Sequence, residues 1–316
     1  SASILTRVKL DFFNDYSKYF LIMSFALSLI VFLPGLGKEI NGATRWLNLG
    51  FVTLQVTEIS RLFLLIWICS YLSRNNIDLA FNKCLLMVIL LSTILVFQRD
   101  LGSIILLFTS FFALALILGL SLRKFLTYLI LVSLAIIPLI VLQPYRLARM
   151  ASFLDPWKDP SGSGYQLMQS LLAFGKGGFF GLGLGSSVQK LFYLPESYND
   201  FIFALIAEEL GLIFTLLIII VFYVIFLRIF SLAKKSFINN LNFAGNLSYM
   251  IGFLITFQAI IHIMVNIGLF PTKGMGLPFI SYGGTNLLVM FICFGMLVRI
   301  HIENRKRVSQ GVQGGY

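Results

Sequence analysis

The segment LPESYNDFIFALIAEELG (194–211) places one acid, Asp200, at the mouth of an apolar run and two more, Glu208 and Glu209, inside it. A carboxylate at membrane depth is costly, so it faces a bundle interior, pairs, or marks a site. Glu208 and Glu209 follow Asp200 by roughly 12–13 Å of helix rise and point about 100° apart. At least one of them is expected to pair with a cation or to be protonated, in a packing role. Asp200 follows Pro195 at a helix start, where anions are favoured, and suits either a helix cap or a working group. Arg45, Arg146, Arg149, Lys176, Lys190 and Lys273 lie between the apolar runs and would suit a phosphorylated ligand.

Other polar residues interrupt the apolar runs. Glu58 and Arg61 are three apart, the spacing at which helix side chains meet, and read as a structural ion pair or as functional charges. Gln258, His262 and Asn266 are spaced by four and form one stripe, suited to interhelical hydrogen bonding. The other histidine, His301, lies in the C-terminal tail, so no metal site is expected. The glycines of GKGGFFGLGLGSS (175–187) follow no strand, which excludes a dinucleotide or Walker loop. A flexible, re-entrant or surface loop is expected there.

The elements that carry these residues follow from composition. The 316 residues are 58% hydrophobic and 12% charged, with mean hydropathy +0.91. A soluble domain carries about twice that charged fraction. The chain therefore reads as an all-α, polytopic integral membrane bundle, one domain over 1–316. Eight spans are predicted, at about 18–36, 52–72, 84–98, 103–120, 124–142, 200–227, 244–268 and 280–298, with one long outer loop, 143–199. The span 84–98 is short, so Arg99 and Asp100 are expected to dip into the bundle. Cys69, Cys84 and Cys293 sit in apolar runs and read as buried thiols. The start SASILTRVKLDFFNDY lacks the basic-then-apolar order of a signal peptide and an initiator Met, so the chain reads as a fragment.

With residues 1–17 cytoplasmic, the inner segments and first membrane entrance hold 14 of the 24 Lys and Arg. Five of the outer cations fall in the long loop, which counts for little in the positive-inside rule. Both ends are thus expected inside, with Ser161 and Ser187 outside and Asn239 inside. The net charge of +11 then belongs to basic inner loops rather than to nucleic-acid binding.

Four segments carry a resemblance: NGATRWLNLG (41–50), QRDLGS (98–103), FLDPWKDP through AEELG (153–211), and GLFPTKGMGLPFISYGG (268–284). They resemble the SEDS family of bacterial cell-wall synthesis, the FtsW, RodA and SpoVE proteins, and are most similar to its division members. The resemblance implies ten spans, of which the first two are absent here, and both ends cytoplasmic. It implies a peptidoglycan glycosyltransferase that polymerises lipid II, an undecaprenyl-pyrophosphate-linked substrate, at the outer face of the bacterial inner membrane at the division septum. Implied partners are a class B penicillin-binding transpeptidase and other division-complex membrane proteins. Its catalytic aspartate falls on Asp200. Arg45, Lys190, Lys273, Arg146 and Arg149 are candidates for the pyrophosphate and sugars, and a Mg or Mn ion would suit the pyrophosphate. Glu58, Arg61, Asp100, Glu208, Glu209 and His262 are read as supporting intramembrane polar groups. The sequence departs from the family pattern at Val56, Arg61, Arg99 and Phe192. A flippase that moves the lipid-linked precursor is the competing reading.

Overall fold

The structure is a computed structural model that describes residues 6–40, 42–48, 50, 53–160 and 162–313. In chain order its elements are α1 (Leu10–Asp15), α2 (Ser17–Ile30), β1 (Gly37–Ile40), β2 (Ala43–Asn48), β3 (Thr53–Gln55), α3 (Val56–Arg74), α4 (Ile77–Phe97) and α5 (Leu101–Ile117). There follow α6 (Leu122–Val141), α7 (Pro144–Leu154), α8 (Tyr165–Gly177), a π turn (Gln189–Tyr193), α9 (Ile202–Ile238), α10 (Asn242–Asn266) and α11 (Gly284–Gln313). Among the described residues, six helices are long and apolar enough to cross a membrane: α3, α4, α6, α9, α10 and α11. The apolar helices α2 and α5 are shorter.

The chain divides into two compact units. The first comprises residues 1–120, 225–255 and 284–316. Its helices approach closely through small residues, as helices in lipid do. Ser24, fully buried on α2, donates to the Ser60 carbonyl of α3 at 2.7 Å, and Asn246 of α10 donates to the Cys69 carbonyl at 3.1 Å. The three cysteines are buried free thiols.

Two expectations need correction in this unit. The fold is not purely α, because 37–55 carries a three-stranded antiparallel sheet, with Trp46 opposite Lys38 on one side and Gln55 on the other. Its strands are only three to six residues long and one bears a bulge, so no alternating pattern announces them. The helix expected at 84–98 starts at Ile77, because the Asn76 side chain caps it by accepting from Asp78 N–H at 3.0 Å. Lys83 is therefore helical, and Asp100 alone of the corner pair is buried. Arg99 has φ +58°, a left-handed turn that reverses the chain and leaves its side chain exposed.

The second unit comprises residues 121–224 and 256–283. The segment 143–199, expected as one loop, contains α7, α8 and the π turn. After α8 the glycine-rich stretch enters a break in α9 at Gly211, whose φ of +76° and ψ of −176° are not helical. A continuous helix would join Leu212 and Ile213 N–H to the Glu208 and Glu209 carbonyls. Here Leu212 and Ile213 N–H donate instead to the Gly178 and Phe179 carbonyls, at 2.9 and 3.3 Å. The Glu208 and Glu209 carbonyls accept from Leu182 and Gly183 N–H, at 2.9 and 3.0 Å. These four backbone groups, freed by the break, thus find partners in the inserted stretch. The glycine-rich segment is a plug in a broken helix, tied in through its backbone.

Gly211→Ala is expected to destabilise strongly. Its backbone lies where only glycine sits without strain, at roughly 1–3 kcal/mol for another residue. A Cβ there would also stand 2.5 Å from the Phe179 carbonyl oxygen. Thermal denaturation in detergent should show a clear fall in Tm, whereas Gly175→Ala, helical and open, should leave it level or higher. Equal Tm values for the two variants would refute the plug.

Candidate active site

Asp200 closes a turn, donating its N–H to the Glu196 carbonyl at 2.9 Å just before α9 begins. Its main chain is clamped from two directions. Asn266, fully buried on α10, donates to the Asp200 carbonyl at 3.1 Å, and its Oδ1 accepts from Ala204 N–H in the first turn of α9 at 3.0 Å. Ser281 donates to the Asn199 carbonyl at 2.6 Å, and Tyr282 N–H to the Tyr198 carbonyl at 3.0 Å. Asn266 therefore takes part of the capping role open to Asp200.

The other members of the stripe hold the facing loop. Gln258 donates to the Gly276 carbonyl at 2.9 Å. His262 Nδ1–H donates to the Met275 carbonyl at 2.7 Å. The stripe at 258, 262 and 266 thus bonds loop and turn backbone and, through Asn266, the first turn of the neighbouring helix α9. A side chain at Gly274 would be crowded, since a Cβ there would lie 2.7 Å from Asp200 Oδ2. That glycine gives the carboxylate its room. Lys273 directly precedes it, and Arg149 donates to the Thr272 carbonyl at 2.9 Å. Asp200, Lys273 and Arg149 therefore share one loop, 272–274. Arg149 also stacks on Tyr145 at 4.6 Å, while Arg146 donates to the Leu139 carbonyl at 2.6 Å. Lys176 is exposed in the last turn of α8.

The deeper acids serve the plug. Glu208 accepts from the Ser187 hydroxyl and from Val188 and Gln189 N–H at 3.3 and 3.2 Å. Glu209 pairs with Lys190 at 2.9 Å. Lys190, expected to meet a pyrophosphate, is thus engaged by a carboxylate, the partner expected for one of the two acids.

In the first unit a separate polar chain forms. Arg61 bonds Glu58 at 2.5 Å and Ser103 Oγ at 3.4 Å, both in a buried setting. Ser103 in turn donates its hydroxyl and N–H to Asp100, at 2.8 and 3.1 Å, so Asp100 caps α5. Arg45 of β2 donates to the Gln98 and Arg99 carbonyls at 3.3 and 3.2 Å and stands 3.9 Å from Asp100. Its guanidinium organises the chain corner at 98–100. Within QRDLGS this makes Asp100 and Ser103 links in one network. Gly274, Ser281 and Gly211 went unseen in the sequence; the glycine and serine spacing of PTKG and FISYGG was the available signal.

Among the described residues, no three His, Cys, Asp or Glu side chains come together as a metal site would need.

The family profile FTSW_RODA_SPOVE, described as "Cell cycle protein", matches residues 1–306. A "Probable peptidoglycan glycosyltransferase FtsW" of Coxiella burnetii (strain RSA 493 / Nine Mile phase I) is 42% identical over 307 residues, spanning 96% of this chain and 82% of that protein. One of Wigglesworthia glossinidia brevipalpis is 40% identical over 306 residues, spanning 95% and 80%. Two solved structures share the fold. One, described as "Structural coordination of polymerization and crosslinking by a peptidoglycan synthase complex", has TM-score 0.78 at 24% identity, over 96% of this chain and 85% of that one. The other, the Thermus thermophilus rod shape determining protein RodA, has TM-score 0.69 at 22% identity, over 96% and 83%.

Proposed function

Because the chain belongs to the FTSW_RODA_SPOVE family of cell cycle proteins, we propose that it is a peptidoglycan glycosyltransferase that polymerises lipid II during septal wall synthesis. The observation that carries this reading is Asp200 itself: its turn is held through the main chain by Asn266 and Ser281, and its carboxylate has room because residue 274, next to Lys273, is glycine. Glycosyl transfer joins an acceptor sugar hydroxyl to the anomeric carbon of a donor, and polyprenyl pyrophosphate leaves. Asp200 takes the hydroxyl proton as the new bond forms. Lys273 and Arg149 are suited to the negative charge gathering on the leaving group. Lys190 would first have to leave Glu209, and Arg45 would have to leave the 98–100 corner. A Mg or Mn ion, should the reaction use one, would draw most of its oxygens from the pyrophosphate itself. A class B penicillin-binding transpeptidase is the proposed partner, alongside other division-complex membrane proteins.

The test is polymerisation of lipid II by the purified protein with its transpeptidase partner in liposomes. Glycan strands that fail to form with Asp200→Asn support the enzyme. Movement of labelled lipid II across the bilayer without strands would support the flippase instead.

The proposed setting is the bacterial inner membrane, crossed eight times by this chain, with both ends cytoplasmic. Ser161 lies outside the described residues and Ser187 is buried against Glu208, so Lys158, with 82% side-chain exposure, is the better outer probe. Lys158→Cys is expected to react with an impermeant thiol reagent from outside, and Lys235→Cys, also exposed, is not. The native cysteines are buried and should stay silent. The opposite labelling pattern would turn Asp200 to the cytoplasm and remove the outward site.

A further inference from the structure

Beside the turn that leads to Asp200, the second unit holds a cavity of about 320 Å³, of whose lining the chemistry above uses only Arg149. Tyr145 and Arg149 of α7 line one part of it, and Ser163, Tyr165 and Gln166 at the start of α8 another, with Pro195 at its edge. Both of its flanks are built. Asp159 accepts from Ser163 N–H at 2.7 Å and from its hydroxyl at 3.1 Å, fixing the turn before α8. Arg149, stacked on Tyr145, ties α7 to the Thr272 carbonyl two residues before Gly274, the neighbour of Asp200. Pro195 lies five positions ahead of Asp200 in the same turn. The cavity is therefore tied to the Asp200 turn and to the loop facing it through two separate segments.

Its lining suits a saccharide. Two phenol rings line it, Tyr145 with one face under Arg149; the Gln166 amide can donate and accept, and the Ser163 hydroxyl, which donates to Asp159, can still accept, matching ring hydroxyls and acetamido groups. The size falls at the lower end of ligand pockets, roughly 300–1,000 Å³. That admits a sugar unit and excludes a folded partner. A bare phosphate would leave the rings unused.

Resting on the polymerase reading, we propose that this cavity is a strand-holding subsite, which grips an amino-sugar unit of the growing glycan beyond the pair joined at Asp200. A polymerase that releases its strand after each bond must capture it again; a second grip keeps the end near the base. Binding and strand length should therefore both depend on the cavity.

The probe is a peptide-free β-1,4 tetrasaccharide of alternating N-acetylglucosamine and N-acetylmuramic acid, titrated into the full protein in nanodiscs. Tyr165→Ala, Gln166→Ala and the surface change Tyr145→Ala should each weaken its Kd by about tenfold, the loss of one ring face or hydrogen bond. Tyr165→Phe, which keeps the ring, should bind almost as the parent does, separating lost contact from lost fold. With lipid II as substrate, the alanine variants should yield strands several times shorter. No tetrasaccharide binding by the parent, equal binding by all variants, or binding of the free stem peptide in its place would overturn the proposal. A parent that binds the tetrasaccharide yet makes no strands would count against the polymerase reading and not against the saccharide site.

Discussion

Asp200→Asn should eliminate detectable polymerisation of lipid II while the protein still folds and inserts. Positioned acid–base groups contribute about 10²–10⁴-fold, and an amide cannot take the acceptor proton. Asparagine nearly matches the size of aspartate, so the room left by Gly274 should accept it. A helix cap behaves differently. Its loss costs about 1 kcal/mol, and asparagine replaces aspartate almost without penalty in that role. The first turn of α9 already has Asn266 holding Ala204 N–H, so little stability should depend on the Asp200 side chain. Glycan product and Tm measured on the same preparations separate the two roles. Near-parental polymerisation by Asp200→Asn would assign the base elsewhere.

Breaking the Glu58–Arg61 pair should have the largest effect on stability. Arg61 is 1% exposed, and its bond to Glu58 is 2.5 Å long. Removing one partner strands a buried charge, at roughly 3–5 kcal/mol. Glu58→Gln and Arg61→Gln should each lower Tm sharply, whereas the double variant should lose less than the sum. Ser103 will blunt the coupling somewhat, because it bonds both Arg61 and Asp100. Additive losses across the cycle would show that the pair does not act as a unit.

The apolar helices and the acids that interrupt them were legible in the chain, for a direct reason. A run of about twenty apolar residues has few ways to satisfy its backbone other than a helix. The Glu58–Arg61 contact was legible because helix geometry alone brings positions three apart together. What escaped was built from distant pieces. The short strands β1–β3 depend on one another and on distant partners, among them Thr285, whose hydroxyl accepts from Gln55 N–H 230 positions away, and the Gln98 and Arg99 carbonyls, which accept from Arg45. The segment 143–199 hid α7 and α8, because glycine, proline and charge masked two amphipathic helices.

By itself the sequence determined which stretches are helical and apolar, that Asp200 stands where such a helix begins, and which family motifs surround it. Those properties depend on neighbours within a few turns of chain. Only the tertiary structure decided what each polar group faces. Lys190 could have met a phosphate, yet it meets Glu209, 19 positions on. The Asp200 carbonyl is held by Asn266, 66 positions away, and α9 breaks at Gly211 because residues 178–183 supply the hydrogen bonds that it gives up. A polar group packed away from solvent must be paired, so the partner that packing brings near fixes the role of each.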